Sequence, residues 1–310
     1  MRRGRIGALV AWAVLVVTPL AGACTKLDPS SDTAMSVFGG TGGTGTDPLP
    51  AQWACLKDHL LPADQPPQRV QYVVAIVDFD SQPAPNMPTP VEGLQITVCG
   101  SPSCDPPFGA PDVVITNPIP GQPSYVFAIE FPPNFSNGYL RLTAPNYAPM
   151  DYFFGGPMKG PPEGGYVVRG LTIPLLKTAT RDTIYNDLGL PGPADPTRGV
   201  LAVRTLDCER SMSSPQGVRA AGVRLQAIPD APPPPAVAWT LSFSNRATPN
   251  KLETDMRGVA GFVNVVPGTV DVEAVAPVNG GVVYGRTTLP VRAGVITLAE
   301  VRDGLDRWGQ

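Results

Sequence analysis

The sequence predicts an all-β protein with two tandem antiparallel β-sandwich domains. Three observations support this prediction. Several segments rich in valine and leucine alternate apolar with polar residues, as half-buried strands do. The 39 prolines and 33 glycines separate these segments about every ten residues, which is typical of turns between short strands. Hydrophobic residues make up 43% of the chain, enough to fill packed cores in spite of so many turn residues.

Residues 1–23 are predicted to be a secretory signal peptide. Three arginines near the start precede an apolar run over residues 6–17, and small residues follow in the stretch Leu20-Ala21-Gly22-Ala23. This order of basic, apolar and small residues is that of an export signal, and the apolar run is too short for a permanent membrane span. Residues 24–52 are rich in Ser, Thr, Gly and Pro, so we expect a flexible linker there.

Cys24 directly follows the small residues, and this arrangement resembles the lipobox of bacterial lipoproteins. The resemblance implies cleavage before Cys24, acylation of its thiol and attachment to membrane lipid through this residue. The protein would then belong to the bacterial cell envelope, facing the periplasm or the cell surface. The stretch Ala21-Gly22-Ala23 also fits an ordinary signal peptidase site, which would release a free secreted protein beginning at Cys24. Both interpretations stay open.

Four cysteines remain once Cys24 is set aside, an even number that suits disulfides in an oxidising compartment. Cys99 and Cys104 enclose the turn residues Gly-Ser-Pro-Ser, so we expect a local bridge between them. The other pair, Cys55 and Cys208, would then close a loop of about 150 residues and stabilise the fold by several kcal/mol. Four cysteines allow three pairings, and the sequence alone does not select one.

Residues 53–177 are predicted to form the first sandwich, as a degenerate copy of the second. Its predicted strands cover Val70–Asp78, Val91–Cys99, Ser124–Phe131, Tyr139–Ala144 and Tyr166–Leu176. Residues 178–197 are predicted to connect the two sandwiches and to contain a short helix over 180–189. We expect Thr180 to cap that helix, Ile184 and Leu188 to share one face, and Gly189 to end it.

Residues 198–303 are predicted to form the second sandwich, followed by a tail over 304–310. Its predicted strands cover Gly222–Ile228, Val237–Phe243, Thr269–Val275, Arg286–Val291 and Val295–Val301. Asp255 and Gly258 suit a tight turn, because Asp bonds its own backbone and Gly accepts a positive φ. Phe262 and Val265 are expected to pack inward after that turn.

A motif in this second unit carries a family resemblance. The spacing T-D-x-x-G-x-x-x-F-x-x-V-x-P-G-x-x-x-V is matched at Thr254, Asp255, Gly258, Phe262, Val265, Pro267 and Gly268. It resembles the carboxypeptidase regulatory-like (transthyretin-like) β-sandwich family, and this copy differs in having Val270 where a tyrosine is common. In that family these residues shape turns and core. The resemblance therefore implies an immunoglobulin-like or transthyretin-like accessory or binding module without a catalytic site.

The sequence offers little for catalysis, cofactors or nucleic acid. His59 is the only histidine, so a Ser-His-Asp or Cys-His site would depend on it alone. Residues 40–45 match the dinucleotide fingerprint G-x-G-x-x-G, but no strand is predicted before them and Asp47-Pro48 follows, so no cofactor is expected. The formal net charge of −3 without a basic cluster argues against nucleic acid as a partner.

Metal binding is an alternative for two sets of residues. The cysteines could hold zinc, but a single histidine and the lack of a C-x-x-C pair favour disulfides. Four acidic residues could supply oxygen ligands for calcium at one end of the first sandwich, and they are Asp78, Asp80, Asp105 and Asp112. Solvated acids at turns are the favoured interpretation, and no metal is predicted.

Four aromatic residues within residues 147–154 form a candidate ligand-binding surface, and they are Tyr147, Tyr152, Phe153 and Phe154. Exposed rings close together can stack on sugars or contact a partner protein. The alternative is a strand whose rings lie alternately in the core, which the β propensity of aromatic residues favours.

Two hypotheses for the function follow. The first is a non-enzymatic envelope lipoprotein whose tandem sandwiches bind a protein or glycan partner. The second is a carbohydrate-active or other hydrolytic enzyme with an unrecognised carboxylate pair, which a deep cleft lined by two carboxylates would favour. A purely structural spacer is a third alternative.

Overall fold

The structure is a computed structural model. It describes residues 70–81, 89–101, 103–108, 114–117, 122–131, 138–154, 170–190, 192–207, 218–228, 232, 236–242, 246–278 and 281–301. Contacts divide the chain into Met1–Asp47 and Pro48–Gln310, and all described residues belong to the second unit. The predicted signal peptide, linker and tail lie outside the described residues, as do Cys24, Cys55, His59, Asp112 and Cys208.

The described part of the chain is built almost entirely from β-strands, which confirms the predicted all-β class. The strands are β1 (Val70–Asp78), β2 (Gln95–Cys99), β3 (Val114–Thr116), β4 (Val126–Phe131), β5 (Tyr139–Thr143), β6 (Met150–Phe153), β7 (Gly170–Leu175), β8 (Gly199–Asp207), β9 (Val218–Arg219), β10 (Arg224–Ile228), β11 (Val237–Leu241), β12 (Ala247–Pro249), β13 (Val259–Val265), β14 (Gly268–Ala276), β15 (Val282–Val291) and β16 (Ile296–Val301). The helix α1 covers Thr178–Asp187. No helix among these residues is long and apolar enough to cross a bilayer.

The strands form three sheets in three layers. A central sheet has the order β12-β11-β13-β8-β16-β6-β5-β2, with β9 paired beside β8. A four-stranded sheet, β3-β4-β1-β7, shares one hydrophobic core with the central sheet and α1. A three-stranded sheet, β10-β14-β15, shares a second core with the central sheet. The central sheet is therefore covered on both faces over its middle strands.

Alternation along β8 shows how the two cores are separated. Val200 and Ala202 belong to the core beneath the four-stranded sheet, whereas Leu201 and Val203 belong to the core of the three-stranded sheet. Successive side chains of a strand point to opposite faces of the sheet, so one apolar run can fill two cores. A strand with both faces covered reads as a continuous apolar segment.

Strand β16 joins the two predicted sandwich units, which is a difference from a tandem arrangement of separate units. It pairs in parallel with β6 of the first unit and in parallel with β8 of the second. All six of its residues are buried. A strand covered on both faces and bonded on both edges lies in the interior, so the two units share one sheet. A further parallel pair, β1 with β7, also departs from the expected antiparallel pattern.

Helix α1 confirms the predicted connector helix, with a shifted start. It begins at Thr178 after the N-cap residue Lys177, so Thr180 lies inside the helix and its hydroxyl donates instead to the Asp80 carboxylate. Ile184 and Leu188 are buried together, as predicted. Gly189 has a φ of +74° immediately after the helix, a conformation that glycine adopts without steric cost.

The turn before β13 forms as predicted. The amide of Gly258 donates to the carbonyl of Asp255 at 2.6 Å, and Gly258 has a φ of +61°. The Thr254 hydroxyl donates to the carbonyl of Ala220 and accepts from the amide of Val223. These two hydrogen bonds fix the turn against the segment between β9 and β10. Phe262 is 3% exposed and packs in the core of the three-stranded sheet, so its predicted inward position is confirmed.

Candidate functional site

The disulfide between Cys99 and Cys104 is present, with 4.7 Å between the two Cα atoms. It closes the turn after β2, and both cysteines pack in a small core cluster with Tyr139. The bridge therefore anchors the end of an edge strand of the central sheet. The second predicted pair, Cys55 with Cys208, stays a prediction because both residues lie outside the described part of the chain.

The aromatic segment lies mainly in the interior and does not form an exposed platform. Tyr152 is fully buried and Phe154 is 4% exposed. The two rings meet edge to face at 5.2 Å, and Phe154 lies 4.5 Å from the ring of Tyr72 on β1. Strand β6 is paired on both edges, by β5 and β16. Its residues Met150 and Tyr152 belong to the core beneath the four-stranded sheet, whereas Phe153 packs against the core of the three-stranded sheet. This placement agrees with the favoured interpretation of a strand with rings in the core, and it argues against the candidate ligand-binding surface at these two rings.

The other two rings of that segment are half-buried. Phe153 stacks on Tyr139 with 4.7 Å between ring centroids, on the opposite face of β6 from Tyr152. Tyr147 lies beside Asp78 and Lys177. Burial raises the pKa of Tyr147, and the charge of Asp78 raises it further. Neither ring is available as an open stacking surface of the predicted kind.

A buried carboxylate, Asp151, lies between two arginines from distant parts of the chain. Asp151 is fully buried, forms an ion pair with Arg292, and lies 3.5 Å from Arg141. Both guanidinium groups also donate to the Tyr139 hydroxyl, at 2.9 Å from Arg141 and 3.1 Å from Arg292. Burial raises the pKa of Tyr139, and Arg141 opposes that rise. This group ties β5 and β6 to the segment between β15 and β16.

A second buried carboxylate, Glu300, pairs with Arg204. The distance between Arg204 Nη1 and Glu300 Oε1 is 3.0 Å, and the same nitrogen donates to the carbonyl of Thr172 on β7 at 3.3 Å. Burial lowers the pKa of the neighbouring Arg219 to about 10, and the positive charges of Arg204 and Arg257 contribute. Positive charge is therefore concentrated at this end of β8.

The acidic residues weighed as alternative calcium ligands are not gathered into a metal site within the described part of the chain, and one of them, Asp112, lies outside it. Lys177 Nζ lies 2.6 Å from Asp78 and 3.6 Å from Asp80, so a cation of the protein already contacts both carboxylates. The hydrogen bond to Asp78 raises the pKa of Lys177. Within the described residues, no group of three His, Cys, Asp or Glu side chains is placed to hold a metal ion.

An apolar cavity lies between α1 and the central sheet. Its volume is about 70 Å³, and its walls come from α1, β6, β7, β8, β11, β13 and β16. Most of the lining is aliphatic or aromatic, for example Met150, Ile184, Ala202, Leu241, Val263 and Leu298. The polar residues at its walls are Arg181, Tyr185, Arg204 and Trp239, and the described lining contains no carboxylate.

The sequence did not single out Arg204 and Trp239, two residues at the walls of this apolar cavity. Arg204 interrupts the apolar strand Gly199–Asp207, and an isolated charge in such a strand was the available signal. Trp239 lies in the predicted strand Val237–Leu241, where nothing distinguished it from an ordinary core residue. Arg204 on β8 and Trp239 on β11 come to one cavity because both strands pair with β13.

Comparisons with known proteins give little further guidance. No family model matches the chain, and no curated protein matches it. The Bacillus anthracis TIE protein has 13% identity and a TM-score of 0.18, over 69% of this chain and 34% of that one, so this chain spans about a third of its length. A mutant of the shaft pilin spaA from Lactobacillus rhamnosus GG has 10% identity and a TM-score of 0.20, over 76% of this chain and 97% of that one. Similarities this weak do not bear on the function.

Proposed function

We propose that this chain is a non-enzymatic lipoprotein of the bacterial cell envelope, anchored through Cys24, whose β-sheet body binds a protein or glycan partner. The anchor rests on the resemblance of residues 20–24 to a lipobox. In this proposal the linker 24–52 has a root-mean-square reach of roughly 30 Å, which holds the folded body away from the lipid surface.

The observation that carries the non-enzymatic part is the pairing of the buried carboxylates. Asp78, Asp151 and Glu300 are each less than 5% exposed, and each forms an ion pair with a lysine or arginine from another part of the chain. A glycosidase needs two carboxylates that flank a substrate cleft and are free to exchange protons. These three carboxylates instead hold strands together, which suits a binding scaffold.

The first experiment separates the anchor from the body. The unmodified protein and the Cys24→Ser variant are expressed in a bacterial host, and membrane and soluble fractions are compared by immunoblot. Two or three acyl chains hold a protein stably on a membrane, whereas one chain binds only marginally. We expect the unmodified protein in the membrane fraction and the variant in the soluble fraction. A variant that stays with the membrane would show that the anchor lies elsewhere.

The second experiment tests binding by the body. The soluble Cys24→Ser chain is immobilised and titrated separately with purified peptidoglycan fragments, envelope polysaccharides and individual purified envelope proteins. Saturable binding to one of these, unchanged by Asp80→Asn at the exposed ion pair, supports the proposal. Hydrolysis of a glycan by the chain, lost on substitution of a carboxylate without loss of folding, would favour an enzyme instead.

A further inference from the structure

We propose that Arg219 and Arg257, which lie at the end of β8 beside the turn over residues 255–258, bind a phosphate group. The ligand is free phosphate, or a phosphate carried by a larger molecule as in a glycerophosphate. The site is independent of the anchor at Cys24 and of the partner binding proposed above, and its test uses small molecules of known structure.

The backbone brings these two arginines to one place. Arg219 on β9 lies directly opposite Leu206 of β8. Arg257 immediately precedes Gly258, whose carbonyl accepts from the amide of Thr205 on β8 at 2.7 Å. A Cβ atom added at Gly258 would lie 3.0 Å from the Cβ atom of Arg219. The turn and β9 therefore pack closely against each other, and the absence of a side chain at Gly258 permits that approach.

Buried hydrogen bonds fix the backbone beside Arg219. The next residue, Ala220, donates its amide to the carbonyl of Thr205 at 3.0 Å. The carbonyl of Ala220 accepts from the hydroxyls of Thr205 and Thr254, each at 2.9 Å. Both threonines are buried. A site whose backbone is already held in place loses less conformational freedom when a ligand binds, and Thr254 of the turn motif contributes to this order.

The Arg219 guanidinium has a surplus of positive charge around it. Its side chain is half-buried, and among the described residues neither an ion pair nor a hydrogen bond engages it. The charges that act on it are the cations Arg204 and Arg257 and the anion Glu300. Glu300 already forms an ion pair with Arg204, at 3.0 Å. Removing a cation from water without supplying an anion costs free energy, so an anion that binds here offsets that cost.

The pKa of Arg219 agrees with this charge balance. Burial lowers it to about 10, and the positive charges of Arg204 and Arg257 lower it further than burial alone would. Arg219 is still a cation at neutral pH, so it attracts anions there. The chain as a whole has a formal net charge of −3, so this local positive charge is not part of a generally basic protein.

Phosphate suits two neighbouring guanidinium groups better than a carboxylate does. A guanidinium donates two parallel N–H bonds to a phosphate, and these charge-assisted bonds are stronger than neutral ones. A phosphate dianion has enough oxygens to accept from both arginines and carries a charge for each of them. A carboxylate has two oxygens and a single charge, so it is expected to bind more weakly.

The test measures binding to residues 24–310 carrying Cys24→Ser, by isothermal titration calorimetry at constant ionic strength. The probes are inorganic phosphate, glycerol 3-phosphate and glycerophosphoglycerol, and acetate is the control. We expect saturable one-to-one binding of at least one phosphate probe, and binding of acetate at least about tenfold weaker. Tighter binding of a glycerophosphate than of inorganic phosphate would identify a phosphate carried by a larger molecule, and equal binding would identify the phosphate group alone.

Three variants locate the ligand. Arg219→Gln removes the charge and is expected to weaken phosphate binding by about tenfold or more. Arg219→Lys keeps the charge but loses the paired donors, so an intermediate affinity is expected. Arg224→Gln removes the same charge at an exposed position on β10 and is the matched control, with binding unchanged.

Thermal melting separates a ligand site from a structural arginine. Without phosphate, Arg219→Gln is expected to melt at the same temperature as the unsubstituted chain or higher, because a half-buried cation without a counter-charge is removed. Phosphate binds only the folded state of the unsubstituted chain, so it should raise that melting temperature and leave the melting temperature of Arg219→Gln unchanged. An arginine that served only the fold would give a lower melting temperature on substitution and no response to phosphate.

The proposal is overturned if no phosphate probe binds saturably. It is also overturned if Arg219→Gln and Arg224→Gln weaken binding equally, because net charge and not this site would then attract the anion. Should Arg219→Gln fail to fold, Arg257→Gln tests the same site, and unchanged phosphate binding in that variant would contradict the proposal. None of these results depends on membrane attachment or on whether the body binds a protein or a glycan.

Discussion

Arg204 and Glu300 occupy directly paired positions on the parallel strands β8 and β16, with 3.0 Å between Arg204 Nη1 and Glu300 Oε1. Both side chains are more than nine-tenths buried, and they are 96 residues apart in sequence. Burying each charge away from water costs free energy, and here the opposite charge of the partner compensates that cost. Removing one partner leaves the other charge buried and uncompensated. The pair therefore makes the pairing of β16 with β8 sensitive to either residue.

We predict that breaking this pair destabilises the protein strongly. Glu300→Leu leaves Arg204 buried without its counter-charge, and Arg204→Met leaves Glu300 buried without its own. Each is expected to lower the free energy of unfolding by about 3–5 kcal/mol. The double variant Arg204→Met/Glu300→Leu is expected to be much less destabilised, because no unpaired charge remains. Urea titrations of the four proteins measure this cycle, and additive losses would contradict a direct interaction.

Truncating Phe262 is predicted to destabilise the core of the three-stranded sheet. Its ring is 3% exposed, and removing a buried phenylalanine typically costs about 3–5 kcal/mol through lost burial and the cavity left behind. Val283→Ala on β15, at a side chain that is 42% exposed, is the control and should change stability by less than about 0.5 kcal/mol. Thermal melts of the mature chain compare the variants. Equal midpoints for Phe262→Ala and the control would mean that the register of β13 is different.

The bridge between Cys99 and Cys104 is predicted to contribute a modest stabilisation. The loop that it closes is short, with a sequence separation of five residues, so the loss of chain entropy it imposes on the unfolded state amounts to about 2 kcal/mol. Cys99→Ser/Cys104→Ser should lower the free energy of unfolding by this amount in urea titrations. Mass spectrometry of a non-reducing digest should show the two cysteines in one cross-linked peptide. Free thiols at both positions would refute the bridge.

The local features of the fold were predictable because their causes lie close together in sequence. Strand β1 was predicted with its observed bounds, since Val70–Asp78 consists mainly of β-branched and other apolar residues. The turn at Gly258 and the inward position of Phe262 follow from the turn residues and the apolar spacing beside them. The disulfide between Cys99 and Cys104 was predictable from a short spacer of turn residues.

The features missed depend on contacts between distant residues. The sequence of β16 is equally consistent with an edge strand, and only its neighbours β6 and β8 make it an interior strand. The same pairing places Tyr152 in the core, which the β propensity of the aromatic segment favoured but which the sequence alone left open against an exposed surface. The cavity is assembled from seven strands and helices, so no single segment of the sequence indicates it.

Both predicted sandwich units form one body joined by β16, and the cavity takes Met150 from the first unit and Leu298 from the second. Hydrogen exchange of the mature chain across a urea series, read by mass spectrometry, tests most directly whether the two units unfold together. If the body is one cooperative unit, amides of β1 and β5 lose protection at the same urea concentration as those of β10 and β14. Met150→Ala should lower both midpoints together. Two separate midpoints, with only the first moved by Met150→Ala, would contradict the shared body and the cavity that depends on it.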